Sequence, residues 1–321
     1  MALAVPATFG QTHESNVTAA DRNGATVTAS GTAHVKGSWA SCIDPTSRPS
    51  YGVTVIVTGI GVAATRSSFL IDIGIGPTGG GSEQVVIPNL DCWGACASGS
   101  NAHGAKSWYF PLYIPAGVRV SARGQASVVS DVANVAIVLH QQPLFEYRVS
   151  RWMEHGAVTS TSNGTSVTPG SGSFGSWTQI GSSTARAHHL WTCGYDLLAD
   201  TTALTAELVV EIGYGPNSGA VRSLGIFVFA QGAGEMVSGP YPAVPIYRPV
   251  PSGSNLWARI ASAEAEARGV IIYAGDWRWP SQSTPQGRKA RPLRPNTSLA
   301  LIQSQRTAPS SSSSIWRTWS T

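Results

Sequence analysis

Three groups of residues in this 321-residue chain have types and spacings that could do chemistry. The first is Gly74, Gly76 and Gly79, a G-x-G-x-x-G spacing directly after an apolar, β-branched run. A dinucleotide site needs a helix to open there, so that its N-terminus meets the pyrophosphate. Pro77, more glycines and a second β-branched run follow instead, and the counterpart later in the chain spaces its glycines differently, at Gly213, Gly215 and Gly219. These residues read as a hairpin turn, with Pro at the second turn position and Gly supplying positive φ. The second group, Cys92, Cys96 and His103, offers three zinc ligands without an evident fourth, and its C-x3-C lacks the paired motif of a structural zinc site. Free thiols or a loop-closing disulfide are expected there, with Cys42 and Cys193 buried as small apolar residues. The third group is the carboxylates Asp72 and Glu211, which hold equivalent positions in different halves of the chain and do not form a facing pair of the kind glycoside hydrolysis needs. The seven histidines are dispersed, with His188 and His189 expected just before a core strand, and neither G-x-S-x-G nor H-E-x-x-H occurs. The expectation is a protein that is not an enzyme and takes no metal or cofactor.

The elements that hold these residues recur. Phe-Leu-Ile-Asp-Ile-Gly-Ile-Gly-Pro at 69–77 returns as Leu-Val-Val-Glu-Ile-Gly-Tyr-Gly-Pro at 208–216. Gly-Ser-Trp at 37–39 returns at 175–177, and Pro115, Gly117, Ala122 and Arg123 return as Pro251, Gly253, Ala258 and Arg259. Matching order with a nearly constant offset is the mark of a duplicated unit. Within each copy the strong runs are short, β-branched and bounded by Gly, Pro, Asn and Ser, which predicts strands separated by turns. The Ala/Glu/Arg-rich stretch 259–268 favours helix on propensity alone. Its counterpart around 123–131 does not, so the repeat predicts strand, turn, strand in both copies. The predicted fold class is all-β: two tandem duplicated β-sandwich, jelly-roll-like domains at 31–145 and 171–276, joined by a linker at 146–170. The loop at 91–104 has no counterpart in the second copy and is expected to protrude and make a contact unique to the first.

Charged residues are only 12% of the chain, well under the usual ~25%, and such a surface is expected to be hidden against neighbours. Residues 1–30 read as an N-terminal arm, or as an edge strand if something pairs with it. Residues 277–321 read as a C-terminal arm carrying seven of the 21 basic residues and no acidic one. Its Pro/Ser background cannot bury itself locally, so order there requires a partner. Trp277, Trp279, Trp316 and Trp319 would anchor in a partner's pockets, with Arg288, Arg291 and Arg294 meeting carboxylates or carbonyls. A neighbouring subunit is a better fit to that composition than nucleic acid. The start of the sequence lacks a basic n-region and meets Pro6 early, so no signal peptide is expected. No apolar run is long enough to span a membrane as a helix.

With tandem β-sandwiches, few charges and arms at both ends, the chain resembles virion structural proteins of tailed bacteriophages. The Ile-Gly-Ile-Gly-Pro turn at 73–77, the strand start at 114–123 and the arms carry that likeness. It implies a non-enzymatic accessory component of a phage particle, either a head decoration or spike protein or a tail or baseplate component. Its partners would be copies of itself and other virion proteins, and its location the virion. The alternative is a glycan-binding module that stacks Trp and Tyr on the sugars of a host surface.

Overall fold

Strand-forming runs broken every few residues by Gly, Pro, Asn and Ser fold here as predicted, into antiparallel sheets with short turns. The structure is a computed structural model and describes residues 13–18, 24–58, 67–93, 106–142, 149–198, 206–231 and 245–277. Among these residues there is no α-helix, only one short 3-10 turn at Ser218–Ala220. Among the described residues no helix is long and apolar enough to cross a membrane.

The first sandwich comprises β1 (His13–Ser15), β2 (Ala25–Thr28), β3 (Ala40–Ile43), β4 (Gly52–Thr58), β5 (Ser68–Gly76), β6 (Gln84–Trp93), β7 (Lys106–Phe110), β8 (Arg119–Ala126) and β9 (Val132–His140). Sheet I runs β9-β4-β7, with β1 and β2 both on β9, and sheet II runs β3-β8-β5-β6. The second sandwich comprises β10 (Val149–His155), β11 (Ala157–Val158), β12 (Asn163–Val167), β13 (Gly170–Ser171), β14 (Thr178–Gly181), β15 (His188–Leu197), β16 (Ala206–Gly215), β17 (Arg222–Gln231), β18 (Ile246–Val250), β19 (Asn255–Ser262) and β20 (Arg268–Trp277). Sheet III runs β12-β20-β15-β18 with β10 also on β20, and sheet IV runs β19-β16-β17 with β13 and β14 on β19. Sheet III repeats the topology of sheet I, and sheet IV that of sheet II. Each half is a jelly roll.

The glycines at 74–79 open the β5–β6 hairpin as predicted, but Pro77 takes the first turn position and not the second, with Thr78 and Gly79 at the centre. Gly79, Gly80 and Gly81 all have positive φ, and the Gly80 amide donates to the Pro77 carbonyl at 3.1 Å. The 259–268 stretch is the end of β19, a turn and the start of β20, so the repeat outweighed helix propensity. Other expectations need correction. Residues 146–170 are not a linker: β10 and β12 pair with β20, and β13 pairs with β19. Polar Asn163–Val167 becomes a strand because a partner strand satisfies its backbone. Of the N-terminal arm, β1 and β2 are strands on β9, the alternative that pairing allowed. Cys92 is not on a loop: β6 continues to Trp93 and holds Cys92 fully buried in the first core as a free cysteine. His188 and His189 lie within β15, not ahead of it. The rest of the 91–104 loop, Cys96 and His103 included, lies outside the described residues.

Candidate functional site

The outward-facing side of sheet II and its copy, sheet IV, is where the duplicated residues gather. Strand register puts Leu70 between Gln125 and Asp91, and its equivalent Val209 between Ala261 and Val228. Two residues on, Asp72 lies opposite Arg123, and its equivalent Glu211 lies between Arg259 and Ile226. In the first copy Asp72 is a three-way acceptor. Lys36 Nζ reaches Oδ1 at 2.9 Å, Arg123 Nε reaches Oδ2 at 3.0 Å, and the Asn89 amide donates to Oδ1 at 2.9 Å. Burial pushes the Lys36 amine down, and Asp72 opposes that shift. In the second copy Glu211 meets Arg259 and no other cation among the described residues, with Nε at 2.7 Å and Nη2 at 2.6 Å. Phe174 stands where Lys36 stood.

A tryptophan covers each ion pair. Arg123 lies 4.5 Å from the Trp39 ring centroid, and Arg259 lies 4.5 Å from that of Trp177 and 4.6 Å from that of Phe174. Glycine makes room for the indole, since a Cβ on Gly74 would fall 2.6 Å from Trp39. Open grooves flank Trp39, lined by Gly80, Glu83 and Arg119 on one side and by Thr28, Ser30 and Lys36 on the other. The tryptophan, glycine, arginine and carboxylate recur in both copies, so their first role is to clamp the segment before β3 or β14 onto its sheet.

What differs is what lies over the sheet. In the first copy, the outer face of sheet III closes over β6, the last strand of sheet II. The Tyr273 hydroxyl accepts from the Asp91 amide at 2.7 Å and donates to the Asn89 carbonyl at 2.9 Å, so one side chain satisfies two backbone groups on the free edge of β6. Tyr273 is fully buried, and burial pushes its phenol pKa well up, which keeps the hydroxyl protonated. Asn89 Nδ2 donates to Glu154 at 3.1 Å, and Gln125 Nε2 donates to the Thr159 carbonyl at 2.7 Å and to Ser162 at 3.1 Å. Buried Lys106 donates to the Tyr195 carbonyl at 2.8 Å. Trp152, Leu190, Ile271 and Tyr273 join the first hydrophobic core, with Trp152 edge-on to Phe110 at 5.0 Å between centroids. β20 thus alternates between cores, sending Ile271 and Tyr273 to the first and Val270, Ile272 and Ala274 to the second. Polar groups on the first copy are spent inside one seam.

In the second copy the equivalent strand, β17, is the last strand of sheet IV, and it leaves Ile226 52% and Val228 67% exposed. Polar residues therefore sit on the covered face and apolar ones on the open face: Asp91 becomes Val228, Gln125 becomes Ala261, and Lys36 becomes Phe174.

Of the residues predicted from sequence to bind a partner, Trp277 ends β20, where its backbone pairs with Val149, so the sheet runs one residue past the expected boundary at 276. Trp279, Arg288, Arg291, Arg294, Trp316 and Trp319 lie outside the described residues. Among the described residues no group of three or more His, Cys, Asp or Glu side chains is placed to hold a metal ion. Sequence reading missed Ile226, Val228 and Tyr273. The register of the repeat held the signal for the first two, because aligning Asp91 with Val228 exposes the exchange of polar for apolar.

No protein-family model and no curated protein matches this sequence. Solved structures similar to it include PNGF-II, at 8% identity and TM-score 0.35, covering 84% of this chain and 66% of that one, just under two thirds of its length. The STIV MCP is similar at 9% identity and TM-score 0.32, covering 84% and 97%. The N-terminal CBM22-1-CBM22-2 tandem domain of Paenibacillus barcinonensis Xyn10C is similar at 7% identity and TM-score 0.23, covering 77% and 85%. At these values none of them assigns the chain a role.

Proposed function

We propose that the protein is a non-enzymatic structural component of a virus particle, and more narrowly an accessory component of a phage particle: a head decoration or spike protein, or a tail or baseplate component. It assembles through its sheet faces and terminal arms with copies of itself and with other virion proteins. One observation carries the reading: the second jelly roll exposes apolar Ile226 and Val228 on a strand whose duplicate in the first jelly roll is covered by polypeptide. Exposed apolar pairs on an edge strand are an aggregation risk unless a neighbour covers them. The ion-paired Asp72 and Glu211 support the non-enzymatic part, since each is committed to arginine. The C-terminal arginines and tryptophans would serve as latches onto neighbouring protein and not as a nucleic-acid site.

The test is the solution mass of the full-length chain by size-exclusion chromatography with light scattering, alongside a chain truncated after Trp277. A defined oligomer, weakened by truncation, is the expected result. A full-length chain that stays monomeric at every concentration and binds host glycan on an array would replace this reading with the glycan-binding one, for which the grooves beside Trp39 are the natural seat.

A further inference from the structure

Each jelly roll offers a donor strand at the end of one sheet, β6 or β17, and an acceptor face on its other sheet, the outside of sheet I or of sheet III. Inside the chain β6 is seated on sheet III. Among the described residues that leaves β17 as an unseated donor and the outside of sheet I as an acceptor face with no strand laid across it. We propose that β17 of one copy seats on the outer face of sheet I of a second copy, repeating between molecules the junction that β6 makes within one; this rests on the assembly reading above.

The two acceptor faces correspond residue by residue. Ile56 pairs with Ala136 as Gly194 pairs with Ile271, and Thr54 pairs with Val138 as Thr192 pairs with Tyr273. All four sheet I residues are uncharged; Thr54, Ile56 and Val138 are half-buried and Ala136 between them is buried. A face of Thr, Ile, Ala and Val complements a donor strand that presents Ile226 and Val228. The exchange of residues between copies fits the difference in partner. The β6 side holds a partner fixed by the same chain, so polar Asn89 and Gln125 are enough to set its register. The β17 side must draw in a separate molecule, and depletion of charge with apolar residues at the centre is the composition of such a contact. The contact joins unlike surfaces, so it closes into a ring or extends as a filament.

The test uses the full chain in four samples: wild type, I226K/V228K with its donor strand blocked, I56K/V138K with its acceptor face blocked, and a 1:1 mixture of the two variants. Thermal melts confirm that each is folded. The expected masses from light scattering are a multimer for wild type, a monomer for each variant, and twice the monomer for the mixture, because each partner keeps the half that the other lost. If I56K/V138K does not fold, an excess of I226K/V228K added to wild type supplies the same readout, by cutting its assemblies back to dimers. A wild-type multimer whose mass I226K/V228K leaves unchanged overturns this contact alone and leaves the assembly reading standing. A monomeric mixture also overturns it, and an I56K/V138K variant that dimerises on its own overturns it in favour of β17 pairing with itself. A wild type that is monomeric throughout overturns both.

Discussion

Asp72 and Glu211 occupy the same position on the same strand of two copies of one fold, yet they do different structural work. Asp72 joins Lys36, Arg123 and the bulged backbone at Asn89 beneath a neighbouring domain, while Glu211 holds a single arginine beside an open apolar face. In the first copy the face is covered by sheet III, and its polar side chains Asn89 and Gln125 have partners there. In the second copy the corresponding strand, β17, holds Ile226 and Val228, which are exposed. The shared Trp–Arg–carboxylate clamp belongs to the jelly roll itself, and the residues around it report what lies on top.

The largest expected effect breaks the cover. Trp152→Ala removes a fully buried ring from the first core and should cost about 3–5 kcal/mol in urea unfolding. A two-step transition, with the second jelly roll melting separately, would show that the seam couples the two halves.

Asp72→Ala strands Lys36 and Arg123 and should cost about 2–4 kcal/mol, whereas Glu211→Ala frees only Arg259, which is part-exposed, and should cost about 1 kcal/mol. Equal losses in a denaturant series would mean that the two sites are equivalent after all.

Tyr273→Phe keeps the ring and deletes the hydroxyl, leaving the Asp91 amide and the Asn89 carbonyl without their partner. The expected loss is about 1–3 kcal/mol, together with faster amide exchange at Asp91, read by hydrogen exchange. Unchanged exchange there would mean that the edge of β6 is closed by something else.

A further effect is pH-dependent. Burial, with His188 beside it, lowers the pKa of His155 to about 4. Between that value and about 6.5 the unfolded chain binds the proton more readily than the folded one, so this group's contribution is full above 6.5 and is lost as the pH falls toward 4. After allowance for solvent screening the loss is about 1–2 kcal/mol. Thermal melts of wild type and His155→Gln across that window should converge at low pH and separate above it; parallel curves would show that His155 does not titrate in it.

Much of the fold was legible because alternating β-branched runs and the duplicated Gly-Pro turns act locally. The jelly rolls, the hairpin at 74–79 and the strand at 268–277 all followed from that pattern. What failed was set by tertiary pairing. Asn163–Val167 has the composition of a turn and becomes a strand only because β20 supplies its hydrogen bonds, and Cys92 looked like loop because glycine and serine follow it closely. The site was half legible: the equivalence of Asp72 with Glu211 and of Arg123 with Arg259 was in the repeat, but nothing local to Tyr273 says that its hydroxyl will close the edge of a strand 182 residues away.

The most direct test of the central claim, that one copy of this face is covered by the chain itself and the other by a neighbour, is carbene footprinting of the full-length protein over a range of concentrations. Ile226 and Val228 on β17 should label strongly in dilute protein and become protected as assembly proceeds, while Asn89 and Asp91 on β6 stay protected at every concentration. Labelling of β17 that does not change with concentration, in protein shown by light scattering to be assembled, would contradict it.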